Sequence, residues 1–285
     1  MVGRISQYLR AIVEAFVADD ALSRGAAISF YAVTSLGPVL FIVVAIAGLV
    51  FGEDAARGAL SEQLSALMGK EAADLVQRAV QSASGKSTGI IATVIGVITL
   101  LMTASGVFGE MQSALNTIWK AESPHTTISR LVRARAASLG LVAALGFLLL
   151  ISLVISALIS ALADYINARL PFGALVLQML HFAMSFVLIS IVVAAIYKVL
   201  PDARLSWRDV LIGAVVTALL FNFGKFLIGL YLAHSALASS YGAAGALIII
   251  LMWVHYSAQI FLLGAEFTKI YARRRGTPAA VYPLT

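Results

Sequence analysis

Cysteine is absent from all 285 residues, which excludes a disulfide framework and any thiolate metal site and leaves the redox compartment unread. Charge is nearly as scarce. Asp, Glu, Lys and Arg make up 12% of the chain, about half their share in a soluble domain, while 61% of residues are hydrophobic and the mean hydropathy is +0.96. Such a chain reads as a polytopic membrane protein. Histidine is also rare: His125, His181, His234 and His255 are dispersed over a loop and three apolar spans, with no metal-ligand spacing and no pair suited to acid and base work. The expectation is therefore no enzyme, no cofactor and no bound metal. A net charge of +6 and a pI near 9.7 would fit nucleic acid if the cations were gathered together. They stand instead in short groups beside apolar runs, as the positive-inside bias produces, so no nucleic-acid partner is expected. No short apolar core with a small-residue cleavage site precedes Ala26, so no removable signal peptide is expected. No internal repeat stands out.

What is present is organised around the stretch from Tyr241 to Tyr271, followed by Arg273, Arg274 and Arg275. Ala243 to Leu263 is long enough to cross about 30 Å of hydrocarbon as a helix, interrupted only by His255. Small residues from Gly242 to Ala246 open it to close helix packing, and its basic end favours the cytoplasm.

Before it, residues 1–25 place Ile5, Leu9, Ile12, Val13 and Phe16 at helical spacing, which predicts a cytoplasmic amphipathic helix lying on the membrane surface. A membrane domain follows over 26–269, with spans near Ala26–Phe51, Gly89–Phe108, Ala137–Leu162, Leu175–Val199 and Val210–Leu232 before the final one. Gly37 and Pro38 predict a kink in the first span. Residues 52–88 form the longest polar connection, with two short amphipathic helices divided near Gly69; it is either a solvated connector or a cap over an extracytoplasmic opening. Residues 270–285 read as a cytoplasmic tail. Lys and Arg number fourteen on the side of both termini and five on the other, Lys225 being the last of the twenty. Both termini are thus expected in the cytoplasm, with six spans. The fold class is all-α: a polytopic helical membrane bundle with an interfacial N-terminal helix and an extracytoplasmic helical connector.

Three segments carry a resemblance: AAISFYAVTSLGPVLFIVVAIAGLVFG near the start, MQSALNTIW after the second span, and the run from LPDARLSWRDV to LLGAEFTK. In order and spacing they resemble the YihY/virulence-factor BrkB family of bacterial inner-membrane proteins, from about Ala26 to Lys269. Members of that family have carried the labels ribonuclease BN and serum-resistance factor, and some are linked to export or trafficking of envelope lipids. The resemblance places Lys225, Tyr231, Tyr241, Gly242, Trp253, Gly264 and Glu266 on family positions, whereas His255 and Gln259 depart from its more apolar pattern. It implies membrane lipids as partners, with envelope lipid-transport proteins on the extracytoplasmic side.

Ionisable and polar groups inside spans are costly and mark candidate sites. Lys225 shares a face of the fifth helix with Asn222 and Gly229, and Tyr231 lies further along the same span. Lys225 either lines an interior polar site or snorkels to the outer interface. His255, Gln259 and Glu266 share a stripe of the sixth helix with Leu262, and His255 is either functional or a satisfied buried histidine. Glu266 and Glu110 both fall near the cytoplasmic boundary, with Lys198 and Lys269 as candidate partners. Lys225 and Glu266 are about 24 Å apart in depth, too far to pair. The expected function is transport or transfer of a lipid or other amphiphile in envelope biogenesis. An ion or small-solute transporter and a non-transporting scaffold for envelope machinery are the alternatives.

Overall fold

The computed structural model describes residues 2–35, 106–121, 172–234, 243–276 and 280–281, with isolated positions between 52 and 78 and at 155 and 159. The expected kink at Pro38, most of the 52–88 connector, most of the second span and nearly all of the third lie outside the described residues. What is described is almost entirely helical. In chain order the elements are α1 (Val2–Ala18), α2 (21–35), α3 (106–119), α4 (Gly173–Val199), β1 (Ala203–Arg204), α5 (Trp207–His234), α6 (Ala243–Arg274) and β2 (Ala280–Val281).

Three of these helices are long and apolar enough to cross a membrane, over Leu175–Val199, Trp207–Ile228 and Leu247–Arg274. They fall on the fourth, fifth and sixth expected spans. Their outer surfaces agree with that reading: Leu211, Val215, Leu219 and Phe223 recur every fourth residue along α5 and are all exposed, as are Leu175, Met179, Phe182 and Val187 on α4. Long apolar stripes of this kind are rare on soluble monomers and suit lipid. Hydroxyls within the helices bond their own backbone, Ser190 to the Phe186 carbonyl and Ser257 to the Trp253 carbonyl, both at 2.8 Å. At these positions the hydroxyl meets hydrocarbon already paired.

The α5–α6 contact is set by one short pattern used twice. Gly213-Ala-Val-Val-Thr217 lies on α5 and Gly264-Ala-Glu-Phe-Thr268 on α6. Each threonine donates to the carbonyl of the glycine four residues before it, at 2.8 Å from Thr217 and 2.6 Å from Thr268. Each threonine then rests on the other helix's glycine: a Cβ on Gly213 would strike Thr268 Oγ1, and one on Gly264 would strike Thr217 Oγ1. Glycine is required there because the helices approach through the space a side chain would fill. Tyr197 of α4 closes the contact from a third side, donating to the Phe261 carbonyl at 2.6 Å with Thr217 Oγ1 at 3.2 Å.

α4 stops at a turn through Pro201, which cannot continue a helical hydrogen-bond ladder. β1 follows and pairs antiparallel with β2, Ala203 opposite Val281 and Arg204 opposite Ala280. β2 is thereby fastened to the α4–α5 turn. α3 inserts Leu115, Ile118 and Trp119 into the same buried cluster as Tyr197, Val210, Leu262 and Ala265. α1 lies on α6 through Tyr8 and Phe267, whose rings meet edge to face at 5.8 Å, and it leaves Leu9, Val13 and Val17 exposed along one side.

Candidate functional site

Two helix ends converge on α6. α1 stops where Asp20 adopts a left-handed conformation, φ 54°, which Asp tolerates better than most side chains. Its N–H bonds the Val17 carbonyl at 3.2 Å, and its own carbonyl accepts the first α2 bond, from Arg24 N–H at 3.1 Å. One residue thus ends one helix and caps the next, while Ser23 donates to its carboxylate at 2.9 Å. This tight corner leaves Asp19 buried.

α3 ends in a related way. Lys120 is left-handed at φ 53°; its N–H bonds the Thr117 carbonyl at 3.1 Å, and Ala121 N–H reaches back to the Asn116 carbonyl at 2.9 Å. That is the Schellman arrangement, with Lys where glycine is the usual choice. From this end the Lys120 ammonium reaches Asp19 and donates to its Oδ1.

Lys269 of α6 completes the assembly. It donates to Asp19 Oδ2 and to Glu266 Oε2, each at 2.8 Å. Asp19, Lys120, Glu266 and Lys269 form a formally neutral layer that joins the α1–α2 corner, the end of α3 and α6. The layer is dry on one side and wet on the other: the Glu266, Asp19 and Lys269 side chains are 0%, 4% and 6% exposed, that of Lys120 57%. Burial by itself would raise the Asp19 carboxyl, but the hydrogen bonds from Lys120 and Lys269 outweigh it and hold that group below its usual range. Glu266 is less well served, since its Oε1 is buried and accepts no hydrogen bond among the described residues.

A second polar knot ties α3 to the α4–α5 turn. Asn116 and Asp202 pair twice, Asn116 Nδ2 to Asp202 Oδ2 and Asp202 N–H to Asn116 Oδ1, both at 2.8 Å, and Gln112 adds a longer bond at 3.3 Å.

The residues expected from sequence separate into groups. Glu266 and Lys269 are brought together, whereas Lys198 donates to the Leu205 carbonyl at 2.5 Å and lies over the Trp207 ring. The reason is the turn through Pro201, which brings the start of α5 back to the end of α4. Glu110 is half-buried on α3 and forms no ion pair among the described residues. His255 and Gln259 do meet, His255 Nε2 lying 3.3 Å from Gln259 Nε2, and the same amide donates to the Leu22 carbonyl at 3.2 Å. They fasten α6 to α2, where Gly25 makes room for the Gln259 amide. Asn222 donates to the Ala218 carbonyl of its own helix at 2.8 Å, so this amide is engaged locally rather than with Lys225. Lys225 itself is half-buried, with the exposed Phe223 and Phe226 beside it in the chain, and has no ion pair among the described residues. The Tyr231 side chain lies outside the described residues. Sequence reasoning alone does not reach Asp19 or Lys120; the only signal for them is a charged residue placed at the end of an apolar-patterned helix.

Long lipid-facing helices, locally satisfied hydroxyls and a buried charged layer define an integral membrane protein. The chain belongs to the family described as virulence factor BrkB, whose family model matches residues 12–282. It is 27% identical over 271 residues to a UPF0761 membrane protein of Alkalilimnicola ehrlichii, covering 92% of this chain and 57% of that relative. It is 31% identical over 199 residues to the UPF0761 membrane protein YihY of Salmonella typhimurium, covering 68% of this chain and 64% of that relative. The chain thus spans less than two thirds of the length of these two relatives. No solved structure matches it.

Proposed function

We propose that this chain is a transporter or transfer protein for a lipid or other amphiphile in the bacterial inner membrane, crossing it six times with both termini in the cytoplasm. The observation that carries the reading is Lys225, a half-buried cation on α5 with no ion pair among the described residues, on a helix whose neighbouring chain positions Phe223 and Phe226 are exposed. An ammonium so placed offers an anionic head group a partner, while acyl chains can lie along the exposed stripe of Leu211, Val215 and Leu219. Membrane lipids are then the substrate class and envelope lipid-transport proteins on the extracytoplasmic side the partners.

The test is purified protein in liposomes, assayed for lipid binding and movement. Lys225→Met is expected to abolish activity with the folded protein retained, because Met keeps the apolar stem and removes the charge; Lys225→Arg is expected to retain part of it. Wild-type activity in the Met variant would remove Lys225 from the site, and an ion flux without lipid binding or movement would overturn the lipid reading. Orientation has its own check in a chain without native cysteine. Ala66→Cys is expected to react with an impermeant thiol reagent from outside intact cells, and Ala134→Cys and Ala279→Cys are not. Labelling of the Ala134 variant from outside would reverse the assignment.

A further inference from the structure

Glu266 is fully buried, yet only one of its carboxylate oxygens is engaged among the described residues. Its sole hydrogen-bond donor among the described residues, Lys269, is shared with Asp19 at the same 2.8 Å distance. Asp19 has Lys120 as a second cation; Glu266 has none among the described residues. Of the two carboxylates, Glu266 is therefore the one whose charge is half compensated, and a buried oxygen without a donor is a costly feature to maintain.

We propose that Glu266 is a proton-binding site, and that proton uptake hands Lys269 from a position shared between two carboxylates to Asp19 alone. The proton comes from water, entering from the side where Lys120 is 57% exposed; it adds to the Glu266 carboxylate to give the neutral acid, and the layer passes from neutral to a net charge of plus one. No bond to carbon forms or breaks. A protonated Glu266 needs only the hydrogen-bond partners of a neutral acid, and Lys269 keeps a full carboxylate partner, so neither state leaves an unpaired buried charge. Among the described residues Glu110 of α3 and Lys225 of α5 form no ion pair with the layer, and several other charged and titratable groups on the packed elements are engaged elsewhere. Arg24 of α2 bonds the Asp19 backbone carbonyl and Ser113, Asp20 takes its bond from Ser23, Lys198 bonds the Leu205 carbonyl, and Tyr197 bonds the Phe261 carbonyl. Asp209 sits in the first turn of α5, one turn before Gly213.

Such a proton site stands whatever the protein moves. Its test is infrared difference spectroscopy of the full chain in detergent between about pH 8 and about pH 6, a window in which exposed carboxylates stay ionised. A protonated-carboxyl band is expected to grow on acidification in the wild type, to vanish in Glu266→Gln, and to persist in Asp20→Asn. Lys269→Gln supplies an independent variant: with the only cation on Glu266 among the described residues removed, the midpoint of the band moves to higher pH. No band in the wild type, or a band unchanged by Glu266→Gln, overturns the assignment. Should that variant fail to fold, a midpoint unmoved by Lys269→Gln overturns it equally.

Discussion

The α5–α6 contact and the Asp19 layer are both buried, and they are built on opposite principles. At α5–α6 every polar atom involved is neutral, each threonine hydroxyl is bonded within its own helix, and the helices meet through missing side chains at Gly213 and Gly264. In the layer the groups are charged, Asp19 takes its partners from segments far away in sequence, and distance is set by ammonium-to-carboxylate bonds. The first kind of contact fails by overfilling and the second by leaving a charge alone. A helix pair inside lipid gains nothing from the hydrophobic effect, so close approach has to supply its cohesion. The layer holds only while each buried charge keeps a partner, a condition that the glycine contact does not have.

The largest effect is expected from Lys269→Met. It removes the cation that both Asp19 and Glu266 use, and breaking a buried pair by deleting one partner costs about 3–5 kcal/mol. Thermal unfolding in detergent measures it; a change near zero would mean that the layer is hydrated in the folded protein.

Gly264→Ala comes next. The added Cβ would meet Thr217 Oγ1 and lie 2.8 Å from the Tyr197 hydroxyl, and overpacking of this kind costs about 1–3 kcal/mol. Thr217→Ala removes the nearest obstructing atom but leaves the Tyr197 hydroxyl and its own Cβ in place, so the double variant is expected to recover part of the loss, a coupling that a double-mutant cycle reads directly. Additive losses would show that the two helices do not touch there.

Lys120→Gly is the smallest. The Lys120–Asp19 bond is lost, but a side chain 57% exposed contributes under about 1 kcal/mol through such a pair. Glycine relieves a left-handed backbone whose cost is about 1–2 kcal/mol. The two nearly cancel, and a melting temperature close to that of the parent is expected. A loss matching that of Lys269→Met would place Lys120 inside the dry part of the layer and erase the contrast between its two lysines.

Much of this architecture is legible without coordinates. The last three spans follow from hydropathy, because a helix in lipid must be apolar along its whole length whatever it packs against. Glu266 with Lys269, and His255 with Gln259, are local pairs at helical spacing on one face, and the structure places each pair together. Asn222 shows the limit of that logic: it shares a helix face with Lys225, yet its amide turns to the Ala218 carbonyl, since a backbone acceptor one turn away is always in reach. Lys198 shows another, because its acceptor, the Leu205 carbonyl, comes within reach only once the chain has turned back at Pro201.

By itself, then, the sequence determined the membrane class, the helical character and the faces on which polar residues stand, all of which depend on residues within a few turns of one another. Only the tertiary structure decided that Asp19 lies against Lys269 across 250 residues of chain, and that two Gly-Ala-x-x-Thr segments pack glycine to threonine. Those contacts depend on how separate helices dock, and docking is settled by the summed shape and charge of whole surfaces. No local pattern encodes which distant residue will fill the space that a glycine leaves or answer the charge that a helix end presents.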